Sequence, residues 1–115
     1  MALIRTNKAA APAGVPFGVV LNSSTQTASQ ITISNNTATI PASTQQLMIG
    51  NISHVSGTLN NSGSLAKTIM IVAADGTVTT ENWTSGNKSV DTDCSAFVVL
   101  SSSGAIDAST LTITP

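Results

Sequence analysis

The side chains able to do chemistry in this chain are few. It has one histidine, His54, one cysteine, Cys94, five carboxylates (Asp75, Glu81, Asp91, Asp93 and Asp107) and four cations. Nucleophilic catalysis needs an activated nucleophile, a base and a group that orients the base. Serines abound, yet no Gly-X-Ser-X-Gly elbow occurs. Nothing in the spacing favours a pairing of Cys94 with His54. No catalytic residue is therefore expected. Asp91-Thr92-Asp93 places two carboxylates on one side of an extended segment. Calcium takes about six to eight oxygen ligands, and no Asp-X-Asp-X-Asp-Gly run follows to supply them. Solvated loop carboxylates are the expectation. One cysteine and one histidine do not fill a tetrahedral zinc shell either. No metal and no cofactor are expected.

Nucleic-acid binding draws on a basic stripe, often with aromatic platforms. Four cations, one tryptophan and two phenylalanines do not provide one. No segment approaches the ~18 apolar residues of a membrane-spanning helix. The first residues, Met1 to Lys8, lack the apolar stretch of a secretory signal, so synthesis in the cytoplasm is expected. The lone Cys94 leads into the apolar run Phe97-Val98-Val99-Leu100, where a buried, inert thiol fits.

The 115 residues suffice for one domain. Only 8% are charged, against about 25% in a typical soluble domain, and the net charge is −1. Serine, threonine and asparagine take the vacant share. A skin of hydroxyls and amides carries little self-repulsion, which suits a protein packed against copies or partners.

Residues 1–16 read as an extended N-terminal arm. They hold Arg5 and Lys8, then run Ala9-Ala10-Ala11-Pro12-Ala13-Gly14-Val15-Pro16, where two prolines oppose a helix. Residues 17–115 form a single β-domain. Its firmest element is a hairpin about Asn35-Asn36. Pairing Ser34 with Thr37, Ile33 with Ala38, Thr32 with Thr39 and Ile31 with Ile40 sorts every apolar residue to one face. A second hairpin is expected to turn at Asp75-Gly76, between Lys67–Ala73 and Thr77–Thr80. A helix capped by Ser64 competes there, but Thr68, Ile69, Ile71 and Val72 are β-branched and favour strand. Further strands are expected near Phe17–Leu21, Gln46–Ile52, Val55–Leu59, Ala96–Ser101 and Thr110–Thr114. The fold class is all-β, an antiparallel β-sandwich or small barrel of about eight short strands.

Ile69-Met70-Ile71-Val72 and Phe97-Val98-Val99-Leu100 are apolar on both faces. One face of a sandwich strand meets the core while the other usually meets water. Something must cover the second face, either the rest of the chain or a neighbouring subunit. Ile69, Met70, Val72, Phe97 and Val99 are the candidate oligomer contacts.

The arm Ala9–Pro16, the charge-poor Ser/Thr/Asn β-domain and the ending Leu111-Thr112-Ile113-Thr114-Pro115 make up one pattern along the chain. In that overall pattern, and through no specific motif, the chain resembles the small capsid decoration, or cement, proteins of bacteriophage virions. The resemblance implies a homotrimer on the virion surface that binds and stabilises the lattice of a major capsid protein. Leu3, Ile4, Arg5 and Lys8 of the arm are the implied partner contacts, adding to an edge strand of the shell. A competing reading is a carbohydrate-binding or adhesive surface module that uses Trp83 with Asn82 and Asn87. A third is a tail-tube or filament subunit.

Overall fold

The computed structural model describes residues 14–22, 28–101 and 105–115. Leu3, Ile4, Arg5 and Lys8 of the expected arm lie outside that range, and the first strand begins at Phe17. Over the described residues the protein is a two-layer β-sandwich of eleven antiparallel strands, not a closed barrel. Sheet A runs, in spatial order, β2 (Ala28–Gln30), β1 (Phe17–Asn22), β5 (Thr44–Gly50), β10 (Ala96–Ser101), β7 (Lys67–Val72) and β8 (Val78–Trp83). Sheet B runs β3 (Thr32–Ser34), β4 (Thr37–Ile40), β11 (Ser109–Thr114), β6 (His54–Leu59) and β9 (Lys88–Asp93).

The Asn35-Asn36 hairpin forms in the expected register from Thr32↔Thr39 to Ser34↔Thr37. Asn35 and Asn36 both take positive φ, 50° and 59°, the left-handed pair that a two-residue turn matched to strand twist requires. Asparagine tolerates that region far better than other non-glycine residues. The ladder stops short of Ile31↔Ile40. Ile31 instead donates its N–H to Gly18 O of β1, because the chain crosses there from sheet A to sheet B. Gly18 leaves room for that crossing: a Cβ on it would stand 2.4 Å from Ile31 Cγ1.

The second hairpin also forms, with a loop one residue longer than a two-residue turn. Ala73 N–H donates to Thr77 O and Gly76 N–H to Ala73 O. Gly76, at φ 92°, absorbs the extra residue. Asp75 Oδ1 accepts the Thr77 N–H at 2.9 Å. That bond holds the Asp75 carboxyl below its ordinary value. No helix forms over residues 64–74, and β7 runs there in its place.

The core lies between the sheets. Leu47, Ile49, Ile69, Phe97 and Val99 from sheet A face Ala38, Ile40, Val55, Leu59, Leu111 and Ile113 from sheet B. Strand β11 shows strict alternation, with Ser109, Leu111 and Ile113 buried and Thr110, Thr112 and Thr114 exposed. Two strands lie beyond the expected set. Strand β2 is exposed throughout, and β9 buries only Val90, so neither carries a clear period-two signal.

A turn that depends on two left-handed asparagines makes a prediction. Asn36→Gly should keep or slightly raise stability, while Asn36→Val should cost about 1 kcal/mol or more. Chemical denaturation of the two variants beside the parent chain checks this.

Candidate functional site

Register assigns each residue of sheet A to a face. Val98 of β10 stands between Met48 of β5 and Met70 of β7, Ala96 pairs with Val72, and Val72 pairs with Val78. All lie on the face turned away from sheet B, because the alternate residues Ile49, Phe97, Val99 and Ile69 are in the core. Leu100 and Thr68 complete this outer face, together with Val19, Leu21 and Gln46 toward the β1 side. Val19, Leu21 and Gln46 are buried, and Gln46 Oε1 has no hydrogen-bond partner among the described residues. The open part is therefore Met48, Met70, Val72, Val78, Ala96, Val98 and Leu100. These are half-buried except Val78, which is 49% exposed. Among the described residues no charged side chain stands on this face. A groove of about 350 Å³ runs along its end between Phe17, Met48, Gly50 and Ala96.

The expected oligomer contacts divide accordingly. Met70 and Val72 stand on the outer face. Ile69, Phe97 and Val99 are at most 1% exposed and belong to the core, so they are not available to another chain. Sequence shows that both faces of these strands are apolar but not which one turns inward.

Of the residues of the glycan reading, Trp83 and Asn82 point to opposite sides of β8. Trp83 pairs with Lys67 on the inner side of β8 and packs against the core. Its Nε1 is buried without a partner among the described residues. Asn82 points the other way, where its Oδ1 accepts the Thr68 hydroxyl at 2.8 Å. Asn87 Oδ1 is engaged by the Asn61 N–H at 3.0 Å. A sugar stacked on Trp83 would not meet the Asn82 amide. Lys67 is itself buried, at 2% exposure, and its Nζ donates to Leu65 O.

One cluster is not visible in the sequence. Asp91 and Asp93 lie on strand β9, not in a loop, and β9 pairs with β6 so that His54 stands opposite Asp93. The imidazole bridges the two carboxylates, with Nδ1 2.6 Å from Asp93 Oδ1 and Nε2 2.7 Å from Asp91 Oδ1. Ionised carboxylates only accept, so both contacts are hydrogen bonds only when the ring carries both protons. The bond to Asp93, then that to Asp91, raises the His54 pKa above its ordinary 6.5. The signal is half present in the i, i+2 carboxylates; the pairing that brings them to His54 spans nearly forty residues.

This arrangement limits what the cluster can do. Both ring nitrogens are occupied by carboxylates, leaving neither to take a proton from a nucleophile. Cys94 is in the core, and burial pushes its thiol up. Among the described residues no group of three or more His, Cys, Asp or Glu is placed to hold a metal ion. The cluster instead ties the edge strand β9 to β6.

Comparison with family models, with curated proteins and with solved structures found no match to this chain.

The raised value fixes the sign of the pH dependence. The His54 contribution to stability is complete below pH 6.5 and is lost as pH rises through the folded-state pKa. An NMR titration of the ring protons should give a midpoint above 6.5, lowered more by Asp93→Asn than by Asp91→Asn. A parent midpoint at or below 6.5 would contradict this geometry.

Proposed function

We propose that this chain is a non-enzymatic structural protein of a virion, a capsid decoration protein that binds and stabilises the lattice of a major capsid protein. The observation that carries the reading is the outer face of sheet A. A sandwich sheet that ends in water presents polar side chains there. This one presents Met48, Met70, Val72, Ala96, Val98 and Leu100 across three adjacent strands, without a charge. Contiguous apolar surface of this kind marks contact with another protein. The low charge of the whole chain supports the same reading, since a neutral hydroxyl-rich skin offers little repulsion to close neighbours.

The work such a protein does is mechanical. Bridging neighbouring capsomers adds interface area that must be broken before the shell can expand. The arm, including Leu3, Ile4, Arg5 and Lys8, would supply a further extended contact by strand addition to the shell. The virion surface is the proposed location, and the major capsid protein the proposed partner.

Immunogold electron microscopy of purified virions with an antibody to this chain tests the proposal. Regular labelling of the heads is expected. Met70→Glu/Val98→Glu, with an unchanged far-UV spectrum, should fail to decorate heads that lack the protein. Unlabelled heads, or full decoration by the double variant, would overturn the reading.

A further inference from the structure

A sandwich has four edge strands, and three of these are guarded. Strands β2 and β3 are three residues each. Strand β9 carries Lys88, Asp91 and Asp93, with His54 clamped across the aspartates. Short length and charge are the usual means by which proteins keep sheet edges from pairing. Strand β8 is longer than β2 and β3 and carries a single charge. Its six residues, Val78-Thr79-Thr80-Glu81-Asn82-Trp83, are exposed up to Trp83 and include no proline. Its one charge, Glu81, is drawn toward sheet B by Lys88, with Nζ 3.6 Å from Oε1.

The hydrogen-bond pattern fixes which backbone groups the edge offers. Thr77 O accepts from Ala73, so Thr77 faces β7. The β7–β8 register continues without a shift, so Thr79, Glu81 and Trp83 also face β7. Val78, Thr80 and Asn82 turn their N–H and C=O groups outward.

We infer that β8 is a self-association edge: it pairs antiparallel with β8 of a second copy about a two-fold axis at Thr80. Two constraints limit the register, and like-charge contact and the number of paired residues then choose among those that remain. Facing residues must lie on the same side of the joined sheet, and the hydrogen-bonded pairs must be formed by the outward residues. Thr80 opposite Thr80, with Val78 opposite Asn82, satisfies both. Three outward residues per copy then exchange six backbone hydrogen bonds. Thr79 then stands opposite Glu81 of the other copy, whose carboxylate stays with Lys88. Shifting the axis to Glu81 places the two carboxylates directly opposite, which is unfavourable. Shifting it to Thr79 leaves Asn82 unpaired.

The contact is isologous and closed, and it joins two six-stranded sheets into one. The uncharged outer faces of both copies then flank a single seam. The pairing does not depend on the virion reading, because it rests on the edge alone. A two-fold contact also differs from the trimer that the resemblance implies, so the two are separable by mass.

Light scattering of the full chain after size exclusion, over a concentration series, tests the pairing. Twice the 11.6 kDa chain mass is expected for the parent. Thr80→Pro removes an N–H that no β7 partner uses and places a ring in the seam. It should weaken dimerisation at least about thirty-fold, through the two central hydrogen bonds, while far-UV circular dichroism is unchanged. Thr80→Lys keeps the backbone intact, sets two ammonium groups opposite each other, and should dissociate the dimer in a salt-dependent way. Amides of Val78, Thr80 and Asn82 should be protected from exchange in the parent and lose that protection on dilution. A single-chain mass at every concentration, a three-chain mass, open polymers, or a dimer that survives Thr80→Lys would each overturn the inference.

Discussion

Sheet B depends on the pairing of its central strand. Strand β11 lies between β4 and β6 and is hydrogen-bonded to both. Without it the sheet separates into β3–β4 and β6–β9, two-stranded pieces that are marginal alone in water. Its Leu111 and Ile113 are fully buried, and its threonines face solvent. Sheet A repeats the arrangement, since β10 is held between β5 and β7. Both central strands come from the final twenty residues. Each pairs with strands distant in sequence, which gives long-range contacts a dominant part in the fold.

Central position explains where the apolar residues go. A central strand has partners on both sides, so its backbone is satisfied internally and its side chains decide what each face meets. Strand β11 answers with alternation. Strand β10 does not: Phe97 and Val99 fill the core while Ala96, Val98 and Leu100 stand on the other side. Beside them β5 and β7 contribute Met48, Met70 and Val72. The sandwich has filled one core and still holds an apolar surface in reserve. Its polar surfaces are largely hydroxyls and amides, and the outer face of the opposite sheet carries His54, Asp91 and Asp93. The two sheets therefore offer different outer surfaces, one apolar and uncharged, the other polar and carrying a pH-sensitive clamp.

Local features are legible in the sequence and distant pairings are not. The Asn35-Asn36 turn can be read because its geometry and its facing residues lie within about ten positions, the span of a tight hairpin. Strand Ala96–Ser101 can be read from its apolar run. The loop Ala74-Asp75-Gly76 can be read too, from the Asp-Gly dipeptide between two β-branched runs. Strand β9 escapes notice since Lys88–Asp93 is polar apart from Val90. With β9 goes the His54 cluster, which exists only once β6 and β9 are adjacent. The inward and outward roles of Ile69 and Met70, or of Phe97 and Val98, require the register, for a run apolar on both faces gives no parity. In sequence Trp83 reads either as a platform beside Asn82 or as the closure of a β core; the pleat sends those neighbours to opposite sides.

If the outer face of sheet A is a contact surface, Met48 and Met70 at its centre must be covered on assembly. Methionine sulfur reports its own exposure by oxidation to the sulfoxide. Hydroxyl-radical footprinting, read by mass spectrometry, should compare the isolated chain with the chain bound in intact particles. A marked fall in the oxidation rate of both methionines on assembly is the predicted result. Equal rates in the two states would contradict it.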